Sequence, residues 1–354
     1  MKKNFFTRSV SIQDQIDFTK NLSVLLNGGV SINEAIDTLS IQSKPGALRN
    51  ILHRIKDRLE KGVSLNGAIA EEGEIFGPVV VSLIRAGEMS GSLADNLNFI
   101  SGWLQRDYTL RKDINSVLLY PKIVLSATVI LGGGLAIFIL PKLVPMFTGL
   151  HVELPLITQI VLGVSLFIKN YWLMIIAIAF FAWIAIYLIF RIRAVKYQYH
   201  KTLVHFPYIK ELVVGYQLAL FSQLMGTLLR SGISIDEALN IAYVGTSNLY
   251  YQGALNVMIE RVNKGISLVE TMKTYPELYP ANSTSVLAVG ENTGTLEESF
   301  FKVSDFWSKD LASQTKNLPT IIEPILLVII GLAVGLIALS IIMPIYKLTG
   351  NLGV

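Results

Sequence analysis

The residues that could do chemistry are few. The chain has four histidines, His53, His151, His200 and His205, and no cysteine, which removes disulfides, thiol nucleophiles and thiolate metal sites. The histidines are scattered and none belongs to an H-E-x-x-H pair. His200 and His205 read as solvated juxtamembrane side chains rather than as a metal pair. No G-x-x-x-x-G-K-[ST] loop is present: Gly290-Glu291-Asn292-Thr293-Gly294 lacks the lysine and has the wrong spacing to cradle phosphate. No serine sits in a nucleophile elbow. The expectation is a protein that is not an enzyme and holds no cofactor and no metal.

Two polar clusters stand out instead. Gly87-Glu88 is followed by Ser90-Gly91, and Gly290-Glu291 by Thr293-Gly294, each ahead of a helix start. One reading has the carboxylate tie the turn to backbone N–H groups. The other places it at a subunit or partner interface, with room for a bound cation.

The elements that must position these clusters are membrane-embedded in part. The chain of 354 residues is 52% hydrophobic and only 16% charged, where a soluble protein carries about 25% charged residues. The shortfall is localised. Val117–Leu140 carries one charge, Lys122; Trp172–Phe190 carries none; Leu318–Ile345 carries Glu323 near its start. Each run can cover about 30 Å of hydrocarbon as a helix. Net charge is +4, which gives no case for a nucleic-acid partner.

Basic residues set the orientation. Arg106, Arg111 and Lys112 precede the first span and Arg191, Arg193, Lys196 and Lys201 follow the second, whereas Pro141–Asn170 holds only Lys142 and Lys169. The expected layout is a cytoplasmic helical module over 1–116, spans over 117–141, 171–190 and 318–346, an outer loop over 142–170, a second cytoplasmic module over 191–317 and an outer tail over 347–354. Tyr171, Trp172 and Tyr187 suit interfacial positions. The amino terminus lacks a signal-length apolar run and is expected to be mature, with Phe5 and Phe6 serving either as a small surface anchor or as part of a disordered tail.

The two modules are copies. FTKNLSVLLNGGVSINEAIDTL from Phe18 matches FSQLMGTLLRSGISIDEALNIA from Phe221, 203 positions later. The same offset aligns Lys61–Leu65 with Lys264–Leu268, the two Gly-Glu clusters, Asp107 with Asp310, Pro121 with Pro324 and Pro141 with Pro344. Chance similarity does not hold one offset over so many residues, so the chain is read as a duplication. Within each copy apolar residues recur at three- and four-residue steps. Ser31–Glu34, Ser234–Glu237 and Ser267–Glu270 have capping-box form. No long period-two alternation demands a sheet. The fold class expected is an all-α membrane protein. From Ser92 and from Thr295 no strong breaker appears before Pro121 and Pro319, so the last helix of each module runs on toward the bilayer.

These residues resemble the F-family platform proteins of type II secretion and type IV pilus assembly, over nearly the whole chain. The carriers are Leu25-Leu26 with Gly29-Val30-Ser31-Ile32 and Glu34-Ala35, the Gly-Glu turns, and the membrane-entry residues Tyr120-Pro121 and Glu323-Pro324. Pro145-Met146-Phe147, Leu154-Pro155 with Thr158, and the span-end prolines Pro141 and Pro344 complete the set. Asp113 departs from the pattern, standing where a basic residue is common. The resemblance implies an inner-membrane platform that forms a homo-oligomer, is engaged by a cytoplasmic hexameric ATPase, and helps lift pilin or pseudopilin subunits out of the lipid bilayer.

Two other classes are distinguishable. A small-solute transporter built from repeats needs polar groups at midplane, and these spans carry none there; Gly132-Gly133-Gly134 suits tight helix packing instead. A motor-independent membrane scaffold differs only in whether an ATPase binds.

Overall fold

A computed structural model describes residues 10–117, 119–135, 138, 142, 156–207 and 209–352. Among them every regular element is a helix. In chain order these are α1 (Ile12–Asn27), α2 (Ile32–Gln42), α3 (Ala47–Glu60), α4 (Leu65–Ala70), α5 (Gly73–Ser90), α6 (Leu93–Val117), α7 (Leu119–Gly134) and α8 (Leu156–Ile189). There follow α9 (Arg193–His205), α10 (Ile209–Arg230), α11 (Ile235–Gly245), α12 (Leu249–Val262), α13 (Leu268–Met272), α14 (Ala281–Thr293) and α15 (Leu296–Leu352). They fall into two compact units, Met1–Lys112 with Lys196–Ser313, and Asp113–Val195 with Gln314–Val354.

In the first unit, helix starts follow local chemistry. Ser11 and Asp14 form a reciprocal box at α1, each side chain accepting from the other's backbone N–H at 3.1 Å. Ser31 and Ser267 accept from the N–H groups of Glu34 and Glu270. Ser234 makes no such cap bond; its hydroxyl pairs with Asp236 and holds that carboxyl below its ordinary range. The capping box expected there is not formed.

Many positions 203 apart in this unit share backbone conformation and burial. Helices α2 and α11 have bounds shifted by that offset, and Gly29, Gly62 and Gly91 have φ of 80, 83 and 73° against 78, 80 and 72° at Gly232, Gly265 and Gly294. Leu22, Ile36, Leu52, Ile84 and Leu97 are buried, and so are Met225, Leu239, Leu255, Leu287 and Phe300. Each such side chain contributes about 1.5–3 kcal/mol by leaving water. Ser101 donates to the Ile16 carbonyl on α1, and Ser304 to the Ala219 carbonyl on α10.

The halves of this unit meet through α5 and α6 on one side and α10 and α11 on the other. Gly245 lies so close to Val79 that a Cβ on it would collide with the valine Cγ2. Ser231 donates to Asn96 at 2.9 Å, and Arg106 donates to Ser304 and Ser308 at 3.1 and 2.9 Å. α10 is long and apolar enough to cross a membrane, yet Val214, Leu218, Met225 and Leu228 are buried within this unit. A helix apolar on all sides suits a protein core as well as a bilayer.

The second unit holds α7, α8 and the part of α15 from Gln314. Thr158 Oγ1 donates to the Ser340 carbonyl at 2.9 Å, and Thr158, Leu162, Ser165 and Ser340 are buried. Gly132 faces Ile337, whose Cδ1 would stand 3.2 Å from an added Cβ. Small residues at such crossings let helices approach closely. The outward faces carry exposed Val129, Ile130, Phe181 and Leu332. Helices containing α7, α8 and the apolar stretch of α15 are each long and apolar enough to cross a membrane, as is α10.

One segment differs from expectation. The stretch read as outer loop, 142–170, is helical from Leu156 onward, and α8 departs from helical geometry only at Tyr171, with φ −116° and ψ 18°. The reason is a buried stripe: Thr158, Leu162 and Ser165 recur at four and three residues and share one face. Scarcity of basic residues set which side of the membrane this segment was expected to face and carried no information on that stripe.

Candidate functional site

The Gly-Glu clusters form two matching knots. Glu88, near the end of α5, accepts from the N–H groups of Leu65 and Asn66 at 2.7 and 2.9 Å. Glu291, near the end of α14, accepts from Leu268 and Val269 N–H at 2.7 and 3.3 Å, and from the Ser267 hydroxyl at 2.5 Å. Each carboxylate thus sits on the amino-terminal end of a short helix, α4 or α13, rather than on its own turn. There it meets unpaired N–H donors and the positive end of the helix dipole. Helices of six and five residues are marginal alone, so the glutamates fasten them.

The glycines close the same knots. A Cβ on Gly87 would stand 2.9 Å from Leu93 Cα, and one on Gly290 would stand 2.2 Å from Ser299 Oγ. Both positions therefore sit where successive helices touch. Gly91 and Gly294 end α5 and α14 in the left-handed conformation that a side chain disfavours. Among the described residues no group of three His, Asp or Glu side chains is placed to hold a metal ion.

The membrane-entry residues lie elsewhere. Tyr120 and Pro121 occupy the first turn of α7, with Tyr120 exposed. Glu323 and Pro324 lie inside α15, both exposed, and Lys122 is exposed on α7. Pro344 falls within α15, with its side chain outside the described residues; Pro141, Pro145-Met146-Phe147, Leu154-Pro155, His151, Phe5 and Phe6 lie outside them altogether.

A third polar centre went unread in the sequence. Asp107, buried on α6, accepts from Arg111 Nε at 2.7 Å and from the Tyr216 hydroxyl at 2.5 Å. Burial, with the Asp107 charge, pushes the Tyr216 phenol well above its ordinary value. Arg111 at four residues from Asp107 is the local signal; Tyr216 has none. Glu72 is likewise buried between Arg54 and Arg58, at 2.6 and 3.1 Å, and Arg54 first among them holds its carboxyl below the usual range. His200 is half-buried rather than solvated: its Nδ1 accepts from Leu249 N–H at 2.9 Å, and burial followed by the Lys196 charge lowers its pKa.

None of these centres pairs a nucleophile with a base, and their shared property is fastening one helical element to another. Known proteins agree on what such a chain is. The model of the family described as type II secretion system (T2SS), protein F matches residues 18–141 and again 221–344. The type IV pilus assembly protein PilC of Thermus thermophilus is 29% identical over 98% of this chain and 85% of its own length. PilC of Pseudomonas aeruginosa is 24% identical over 98% of this chain and 92% of its own. The type II secretion system protein F of Pseudomonas aeruginosa is 27% identical over 98% and 86%. With more than half of its residues matched in two blocks 203 positions apart, the chain belongs to the type II secretion system protein F family.

Proposed function

We propose that the chain is an inner-membrane platform of a type II secretion or type IV pilus-like machine, coupling a cytoplasmic hexameric ATPase to the insertion of pilin or pseudopilin subunits into a filament. The observation that carries this reading is the double match to the family model, together with relatives named for pilus assembly and for type II secretion. The chain is taken as a duplication, with two homologous modules over 1–116 and 191–317 on the cytoplasmic side. Three spans, 117–141, 171–190 and 318–346, then leave the amino terminus inside and the carboxyl tail outside. Basic residues beside the first two spans support that orientation. The platform acts as a homo-oligomer and does no catalysis of its own.

In this mechanism the ATPase docks on the modules and turns or displaces them, and helices that continue into the membrane carry the motion to the spans, beside which pilins are added. The unbroken course of α15 over 57 residues supports it, because a continuous helix has no loop in which motion is lost. The Gly-Glu knots are proposed to lie at a subunit or partner interface as well as to fasten α4 and α13. Purification of the full-length chain from native membranes tests the coupling: the ATPase should co-purify. Its absence, under conditions that retain pilins, would favour a scaffold without a motor.

A further inference from the structure

α9 begins at Arg193, shortly beyond Ile189, where the apolar helix α8 ends. One of its faces is fixed by α12. Tyr197, His200, Lys201 and Val204 recur at three- and four-residue steps and so share that face. The Tyr197 ring meets Tyr250 edge-on at 5.7 Å, and the His200 ring accepts from Leu249 N–H at 2.9 Å. Lys201 Nζ lies 5.9 Å from the centre of the Tyr250 ring, and Val204 is fully buried.

The side of α9 turned away from α12 would be polar if it met only water. It is not. Tyr199 and Phe206 lie two turns apart on that side and are 45% and 55% exposed, with Leu203 half-buried between them. Phe206 keeps the helical register, since its N–H donates to the Thr202 carbonyl at 3.1 Å. Cations border this face: Lys196 stands one turn before Tyr199, and Arg191 and Arg193 precede it, all three exposed.

We propose that α9 lies on the cytoplasmic surface of the bilayer, with Tyr199, Leu203 and Phe206 among the lipid headgroups and Arg191, Arg193 and Lys196 on their phosphates. The chain itself selects lipid as the occupant. α8 is long and apolar enough to cross a membrane, and the short link after Ile189 cannot carry the start of α9 more than about 15 Å from the end of α8. The side chains agree. Aromatic and aliphatic residues on one face with arginine and lysine beside them are the composition of a helix that rests in the interface. Basic side chains there are complementary to phosphate, and they fall on the side of the membrane that the proposed orientation makes cytoplasmic. α9 then fastens α12 to the lipid surface. This inference rests on α8 as a span in the proposed function and goes beyond it by naming a second, surface contact with lipid.

The chain has no cysteine of its own, which makes the test direct. Full-length Phe206→Cys, Lys264→Cys and Ile178→Cys chains each take one thiol-reactive fluorophore and are placed in vesicles of phosphatidylethanolamine and phosphatidylglycerol. Lys264 is exposed just past the end of α12 remote from Leu249, and Ile178 is exposed within α8. A nitroxide on the lipid headgroup should quench the label at 206 roughly threefold more than the label at 264, and a nitroxide on the acyl chain should quench the label at 178. Lys196→Glu should lower the quenching at 206 by about twofold. Equal quenching at 206 and 264, with 178 quenched, overturns the surface contact while leaving the span intact. No quenching at 178 defeats the span itself. A label at 206 shielded from both the nitroxide lipids and aqueous iodide gives the face to a protein, a second copy or a pilin, and overturns the proposal. Unchanged quenching in Lys196→Glu overturns the part assigned to charge.

Discussion

The Tyr216 hydroxyl donates to Asp107 Oδ1 across 2.5 Å, joining α10 to α6 over 109 positions of sequence. Removing the hydroxyl leaves a buried carboxylate with one donor fewer, which costs about 1–3 kcal/mol. Tyr216→Phe should therefore lower the thermal midpoint of the purified protein, and in an Asp107→Asn background the same change should cost less. A full-sized loss in both backgrounds would show that the two groups do not interact.

Glu88→Ala and Glu291→Ala each leave two backbone N–H groups of a short helix without acceptors, a loss of about 1–3 kcal/mol apiece. The glutamine variants keep a carbonyl oxygen and should lose less. Melting curves of the four variants check the order Ala below Gln below wild type. The same glutamine variants isolate the interface role, because filaments absent with the fold retained would assign the charge to a partner.

Gly245→Ala should destabilise the protein by about 1–3 kcal/mol through overpacking. The added Cβ would collide with the Cγ2 of Val79, which is buried and stiff at χ1. Val79→Ala removes the obstruction, so the double variant should recover part of the loss. Additive losses in a melting series would mean that the helices separate rather than collide.

His200 has a folded-state pKa below its ordinary 6.5, because burial and Lys196 oppose the proton. A lowered folded pKa means that the unfolded chain binds the proton more readily, so this stabilising contribution is complete above pH 6.5 and declines as the pH falls below it. The neutral ring accepts from Leu249 N–H at the start of α12. Melting temperature should therefore drop on going from neutral pH to mildly acidic pH, and His200→Gln should flatten that drop. An identical pH profile in the variant would assign the effect to other groups.

Much of the helical layout follows from local signals. Gly29 and Ser31 bracket the start of α2, Gly232 and Ser234 that of α11, and a single offset carries one set of bounds onto the other. What local signals lack is the identity of a distant partner. Glu88 could be read as a turn residue, but nothing near it names Leu65 and Asn66, more than twenty positions upstream. The 203-position offset aligns Trp103 with Phe306; it does not show that Trp103 lines a hollow with Leu220 and Leu224 while Phe306 stands exposed. Hydropathy misleads in the same way at α10, whose apolar faces are spent on protein rather than lipid.

The central claim is that this chain is needed for filament assembly. It is tested most directly by counting surface filaments in a strain deleted for its gene and in the same strain carrying a plasmid copy. The account predicts no filaments in the deletion, pilins accumulating in the membrane, and filaments restored by the plasmid. Normal filaments in the deletion strain would contradict it.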